Sequence, residues 1–329
     1  MADIYLSKSG DGLPLAAGAH VWRRLFDIDE REALFETRGF RRPNESALAR
    51  LELVGKAFIS GYREALFSGP DGPRRALLGL APEDLRGFVA EGAGMGCVVA
   101  DTCSFGDRRL RCWIDSTARD FSYLTHVGVG WAMARIPFGW RSILRQLDPI
   151  HHWLAFDGMG FHDTYFHAGK VLGGWRRVRR GYRSSAYDQG VGRALWFVSG
   201  ADIAWAAATI ASLPPDRRGD LWSGLGLAIA YAGCADADAL DRAKALAGRH
   251  AAGLAQGAAF AAAAHAQAGA APAHTRFALQ KLTGLDLPTI VARVAAARDA
   301  LPEIERDGPP RYELWRGAIS EFISERSSG

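Results

Sequence analysis

The most regular pattern along the chain is a pair of glycines one residue apart, each followed by a run of small and apolar positions. Gly92/Gly94 stand in EGAGMGCVVA, Gly128/Gly130 in VGVGWAMARI, Gly158/Gly160 in DGMGFHDTYF, Gly190/Gly192 in QGVGRALWFV and Gly224/Gly226 in SGLGLAIAYA. A weaker sixth copy is Gly257/Ala259 in QGAAFAAAAH, and Gly55/Ala57 in VGKAFISGY reads as an earlier one. From Gly92 onward the first glycines are separated by 36, 30, 32, 34 and 33 residues. A period of about 33 residues with few β-branched runs predicts helical-hairpin repeats.

The unit LWSGLGLAIAYAGCADADALDRAKALAG (221–248) resembles a tetratricopeptide unit through Trp222, Leu225-Gly226 and Tyr231. Pro214 and Pro215 stop the helix before it. The expected fold is all-α: tetratricopeptide-like repeats of about 33 residues forming an α/α superhelix. Residues 1–50 read as an N-terminal helical cap, 51–270 as the repeat domain and 271–329 as C-terminal capping helices. A dinucleotide-binding reading fails, because the pair recurs and lacks the third glycine of G-x-G-x-x-G. Glycine costs a helix about 1 kcal/mol relative to alanine. Its repetition in each unit implies close approach of a neighbouring helix.

Aligned on the pair, six units form columns. Two places after the second glycine stand Gly96, Ala132, His162, Ala194, Ala228 and Ala261. The next column is Cys97, Met133, Asp163, Leu195, Ile229 and Ala262. His162 and Asp163 therefore replace a small and an apolar residue, and burying such groups is costly unless they are paired. A sequence that breaks its own pattern once does so at a functional or strained site. Asp163 and His167 are four apart, the spacing of one helix face. His162 and Asp163 become the candidate acid/base pair, with His167 and Asp157 in support. The column three places before the second glycine, Glu91, Val127, Asp157, Gln189, Ser223 and Gln256, is polar in five units of six, and lines an inner groove or caps helices. Phe161, Tyr165, Trp196 and Tyr231 supply an aromatic ligand surface, joined by His126 and Asp188, which stand two places before their glycines.

Other chemistry is sparse. Five of the nine histidines lie between His126 and His167 but none is spaced H-x-x-x-H, so no metal site is expected. No nucleophile elbow, P-loop or cofactor motif occurs, and no cofactor is assigned. GGWRRVRRGYR (173–183) carries Arg176, Arg177, Arg179, Arg180 and Arg183 between Trp175 and Tyr182. It suggests an acidic partner, such as a carrier protein, or a phosphate-bearing ligand. Nucleic acid is not expected, because no second basic stripe accompanies it and the net charge is only +4. Apolar residues make up 48% of the 329, enough for a sizeable core. The four cysteines form no C-x-x-C and read as buried thiols. With no signal peptide and no run of about 20 apolar residues, a soluble cytoplasmic protein is expected.

DGMGFHDTYF, YDQGVGRALWFVSGAD and LPPDRRGDLWSGLGLAIAYAGC together resemble a bacterial family. It is the domain-of-unknown-function family 1702, which includes the UnbL-type proteins of enediyne polyketide gene clusters. The likeness runs from about residue 38 to residue 233. It implies a protein that accompanies an iterative polyketide synthase and assists conversion of a polyene into the enediyne core. It supplies no catalytic residues. Two expectations follow. One is an enzyme or accessory protein holding an apolar polyene in a helical groove. The other is a non-catalytic scaffold that binds the synthase, its carrier domain or another pathway protein.

Overall fold

A computed structural model describes residues 24–104, 108–116, 119–178, 180–269, 271–303 and 308–327. It is helical, with no strand among the described residues. Seven long helices form the centre: α1 (Glu45–Phe67), α2 (Arg86–Cys103), α3 (Ser122–Arg135), α4 (Trp153–Leu172), α5 (Tyr182–Val198), α6 (Arg218–Ala232) and α7 (Ala251–Gln267). Each packs on the next in chain order. Helices α8 (Ala273–Thr283), α9 (Leu287–Asp299) and α10 (Arg311–Ser327) cover α7.

The glycine pair is the contact between successive helices. A methyl placed on Gly92, Gly128, Gly158, Gly190, Gly224 or Gly257 would lie 1.8–1.9 Å from a carbonyl oxygen of the preceding helix. From Gly128 onward that oxygen belongs to the residue just before the preceding first glycine: Glu91, Val127, Asp157, Gln189 and Ser223. The second glycine faces the following helix: a methyl on Gly130, Gly160, Gly192 or Gly226 would meet Ala155, Tyr187, Leu221 or Leu254 oxygen at 1.9–2.0 Å. No side chain fits there. The glycine Cα–H lies against a carbonyl instead, a weak contact seen where helix backbones touch. Because the same relation repeats from helix to helix, the stack turns as a superhelix.

The ends of the stack follow the same rule. In α1 the slot that faces α2 is Gly61, whose methyl would meet Val89 oxygen at 2.0 Å, and Phe58 oxygen receives Gly92. The first copy is therefore Ile59/Gly61, and Gly55/Ala57 lies one helical turn away from it, against Ala33. Among the described residues no helix precedes α1 in the stack, and its first slot holds isoleucine. Among the described residues no helix after α7 continues the glycine contact, since Gly317 of α10 has nothing within 4 Å of an added methyl, and the second slot of α7 is Ala259.

Helices sandwiched on both sides are buried all round: every residue from Gly87 to Ala100 of α2 is buried. The partner helices of the repeats are far less regular. They are Arg109–Ser116, Trp140–Leu144, Ile203–Ser212 and Ala237–Ala247, of 8, 5, 10 and 11 residues. Between α4 and α5 there is no helix among the described residues. The partner helices form no uniform tetratricopeptide-like hairpin: Arg109–Ser116 packs on its own α2, but Ala237–Ala247 packs on Ile203–Ser212, α7 and α8 rather than on α6. The division drawn at 50/51 falls inside α1, and one apolar cluster runs from Ile28 to Ile323.

The superhelix is tight, and its axis is filled. The Tyr231 hydroxyl of α6 lies against Gly87 of α2, and its ring meets Phe88 at 5.1 Å. Arg50 Nε of α1 donates to Ala232 oxygen at 3.2 Å. No helix among the described residues is long and apolar enough to cross a membrane. The cysteines form no disulfide there, and Cys97 is buried.

Two glycine replacements separate contact from propensity. Gly226→Ala must push α6 and α7 apart, and a loss of about 3 kcal/mol or more is expected in denaturant unfolding. Gly317→Ala, inside α10 with nothing within 4 Å of the added methyl, should be neutral or stabilising by up to about 1 kcal/mol. Equal effects of the two would refute the backbone-contact reading.

Candidate functional site

The positions just before each first glycine and just after each second one point toward the axis. From α2 to α5 they bring Glu91, Trp131, Asp157, Phe161 and Arg193 together. Trp131 is the centre of an aromatic cluster, with Phe58 at 4.5 Å, Phe161 at 5.1 Å, Tyr165 at 5.8 Å and Phe166 at 6.0 Å between ring centres. These rings, with Phe88 and Phe197, wall a narrow apolar cleft. Glu91 and Arg193 reach its wall from the axis. The Trp131 indole N–H donates to Glu91 Oε1 at 3.0 Å, and Arg193 Nη2 stands 3.8 Å from Glu91 Oε2. Arg193 also lies 5.1 Å over the Phe161 ring and makes a close ion pair with Asp157. Beyond Arg193 a second apolar cleft opens, lined by Asp157, Tyr231, Phe260 and Tyr312 among others. Asp157 Oδ2 and Arg193 Nε are buried with no hydrogen-bond partner among the described residues.

Two buried carboxylates therefore share one guanidinium. Burial is the main force on Glu91 and pushes it from its ordinary value near 4.5 up to about 7. Arg193 and the Trp131 N–H pull the other way, while the charge on Asp157 adds to the rise. Burial also raises Asp157 against the pull of Arg193. Burial therefore favours the protonated form of both carboxyls, and Glu91 is poised near neutral pH inside an apolar wall. That combination suits proton transfer or hydrogen-bond donation to an unsaturated ligand.

The sequence candidates divide. Phe161 and Tyr165 line the first cleft, and Asp157 and Tyr231 the second. His162 and Asp163 line neither. Asp163 is fully buried and accepts from His162 Nδ1 at 3.2 Å, Arg177 Nε at 2.8 Å, Arg177 Nη2 at 2.7 Å and Tyr187 hydroxyl at 3.0 Å. Burial pushes its carboxyl up, but the bonds from His162 and Arg177 outweigh it and hold it below the usual range. Burial holds His162 below its ordinary value, against Asp163. His167 is exposed at a break in α4, where its φ is −139° and ψ 41°, so it does not continue the helix face of Asp163. Arg38 donates to the carbonyls of Tyr165 at 3.3 Å and Phe166 at 3.1 Å, just before the break.

The physical reason for the pattern break at His162-Asp163 is the α4–α5 connection. Lacking a helix, it is tied down by ion pairs: Arg177 to Asp163, and Arg176 to Asp188 at 2.5 Å. Asp188 also takes Arg217 at 2.7 Å, ahead of α6, and is a structural clamp rather than a ligand contact. His126 is a satisfied neutral imidazole: Nδ1–H donates to Ser122 oxygen at 2.7 Å and Nε2 accepts from Asp148 N at 3.1 Å. Trp196 is fully buried and donates to Gly233 oxygen at 2.9 Å, away from both clefts. Arg176, Arg177 and Arg180 lie along an open cleft, and Arg179 lies outside the described residues.

Sequence reasoning missed Arg193, although its signal was present. The column one place after the second glycine is Met95, Trp131, Phe161, Arg193, Leu227 and Phe260: five large apolar residues and one arginine. Glu91 belongs to the polar column, which lies inside the helices rather than at their caps. No group of three His, Cys, Asp or Glu among the described residues is placed to hold a metal ion.

Two outcomes check this geometry. Because folded Glu91 keeps a proton that the unfolded chain releases, its share of stability falls as pH rises from about 4.5 to about 7. Glu91→Gln should remove that slope, so that by pH 8 it gains on the order of 1–3 kcal/mol relative to its pH 5 difference from wild type. Parallel melting curves across pH would refute the shift. Asp163→Ala should free the loop 173–181 and speed its proteolysis at least tenfold, whereas unchanged cleavage would remove the clamp from the account.

No curated protein and no solved structure matches the chain. A family model described as Protein of unknown function (DUF1702) matches residues 18–323. That span takes in all seven central helices, both clefts and the arginine loop, and the chain belongs to this family.

Proposed function

We propose that the protein binds an extended, unsaturated apolar molecule in the cleft around Trp131, and that Glu91 exchanges a proton with it. The resemblance to enediyne-associated proteins supplies the class: a polyene or polyketide chain handled in the cytoplasm, on its way to the enediyne core. One observation carries the reading. A carboxyl group held at about 7 stands in the wall of an otherwise aromatic cleft, backed by Arg193. Protonated Glu91 gives its proton to the ligand, and the carboxylate left behind is balanced by Arg193. The same carboxylate takes a proton from the allylic carbon at the other end of the protonated double bond, so the double bond moves by one carbon with no oxidant or reductant consumed. Ile28 and Glu32 form part of the cleft wall, and the ion pair of Arg38 with Glu32 at 2.6 Å ties this strap down. Releasing that tie is the route of entry.

A scaffold that binds the synthase, its carrier domain or another pathway protein is the second reading. The open arginine cleft favours it, since Arg180 and Arg183 have no carboxylate partner among the described residues.

All-trans-retinol, a neutral fluorescent polyene, serves as probe. Saturable binding is expected, with an affinity that changes around pH 7 in wild type and stays flat from pH 5.5 to 8.5 in Glu91→Gln. No saturable signal would sink the polyene reading. The same pH dependence in the variant would remove Glu91 from it.

A further inference from the structure

The loop between α4 and α5 does more than join two helices. Arg176, Arg177, Arg180 and Arg183 line one open cleft, with Trp140, Phe156 and Val178 as its apolar wall and no acidic side chain in the lining. Two of the four guanidiniums are held from behind by buried carboxylates. Asp163 grips Arg177 through two nitrogens, and Asp188 holds Arg176 while sharing itself with Arg217. Both arginine side chains still keep 16% and 24% of their exposure. Arg183 lies 5.4 Å over the Phe156 ring and, like Arg180, is exposed. The Trp140 ring is fixed by N–H donation to Met133 oxygen at 3.1 Å and Ile136 oxygen at 2.8 Å.

A surface arginine that merely favours solubility needs no such support. Here the cost of ordering two long side chains is met before any ligand arrives, which is how a site gains affinity. Guanidinium groups converging beside flat rings match one chemistry best. Their planar forks suit the oxygens of a phosphate, and the half-buried Trp140 ring suits a planar group attached to it. Carboxylates would find the same charge, but a monocarboxylate spans fewer of the four cations than a phosphate or diphosphate does.

We propose that this cleft binds a phosphate ester, with the phosphate oxygens on Arg180, Arg183 and the two anchored arginines and a planar remainder against the half-buried Trp140. The site is separate from the cleft around Trp131, and it does not depend on any chemistry at Glu91. It makes the protein a two-site molecule, with one site for an apolar chain and one for an anionic ester.

Calorimetric titration of the full chain with adenosine 5′-diphosphate, inorganic pyrophosphate and adenosine tests it. Saturable binding of the diphosphate and of pyrophosphate is expected, with adenosine at least tenfold weaker and both anions weakened by salt. Arg180→Ala combined with Arg183→Ala should cost the diphosphate about tenfold or more with an unchanged melting temperature. Arg180→Glu alone should act in the same direction. Arg242→Ala, on the exposed face of the helix Ala237–Ala247, should have no effect. The proposal is overturned if neither anion binds saturably, if adenosine binds as well as the diphosphate, or if the double variant and Arg180→Glu leave the affinity unchanged.

Discussion

The structure depends on one contact, a glycine backbone pressed against a carbonyl of the next helix. With 1.8–2.0 Å between most of these oxygens and the place a methyl would occupy, each junction tolerates almost nothing but glycine. Each helix in the middle of the stack makes the contact twice, once to each neighbour, and so has no solvent face. Its remaining positions can only face the outer connections or the axis. This is why whole helices read as small and apolar, and why the few polar residues they carry are forced inward. The contact offsets by tight packing what the glycines cost in helix propensity.

Charge at the axis is the second consequence. A carboxylate brought into such an interior must be paired or protonated. Glu91 and Asp157 are paired through the shared Arg193, with Trp131 as a further donor to Glu91. Burial raises both carboxyls, Glu91 up to about 7, and the aromatic wall keeps the pair in a low-dielectric setting. Buried ionic clusters of this kind are poor sources of stability. Their presence in an otherwise apolar axis therefore weighs toward use, and the clefts on both sides of Arg193 say where that use would take place.

The α4–α5 connection shows how an irregularity in one layer is answered in another. Every other central connection has at least one short helix to pack against the stack. Here ion pairs take that part, and they need acidic residues where the repeat would have small and apolar ones. His162 and Asp163 stand out for this reason. They anchor the arginine loop and thereby shape the open cleft, while α4 breaks at His167 on its far end.

The chain by itself determined the helices, their order and the contact between neighbours. A glycine pair has the same steric consequence wherever it recurs, so the period of about 33 residues could be read directly as a stack. It also marked its exceptional residues, because columns of equivalents expose Asp163 and Arg193 as departures and place Glu91 and Asp157 in a polar column inside the helices. The columns carry no information on which exceptions meet. Glu91, Asp157 and Arg193 come from α2, α4 and α5, and their meeting depends on the turn accumulated over several helices and on how far the superhelix closes. Arg177 reaches Asp163 only because a loop without a helix folds back on α4. Contacts between neighbours follow from local sterics, whereas contacts across the axis follow from the summed rotation of the stack, and only the tertiary structure decided those.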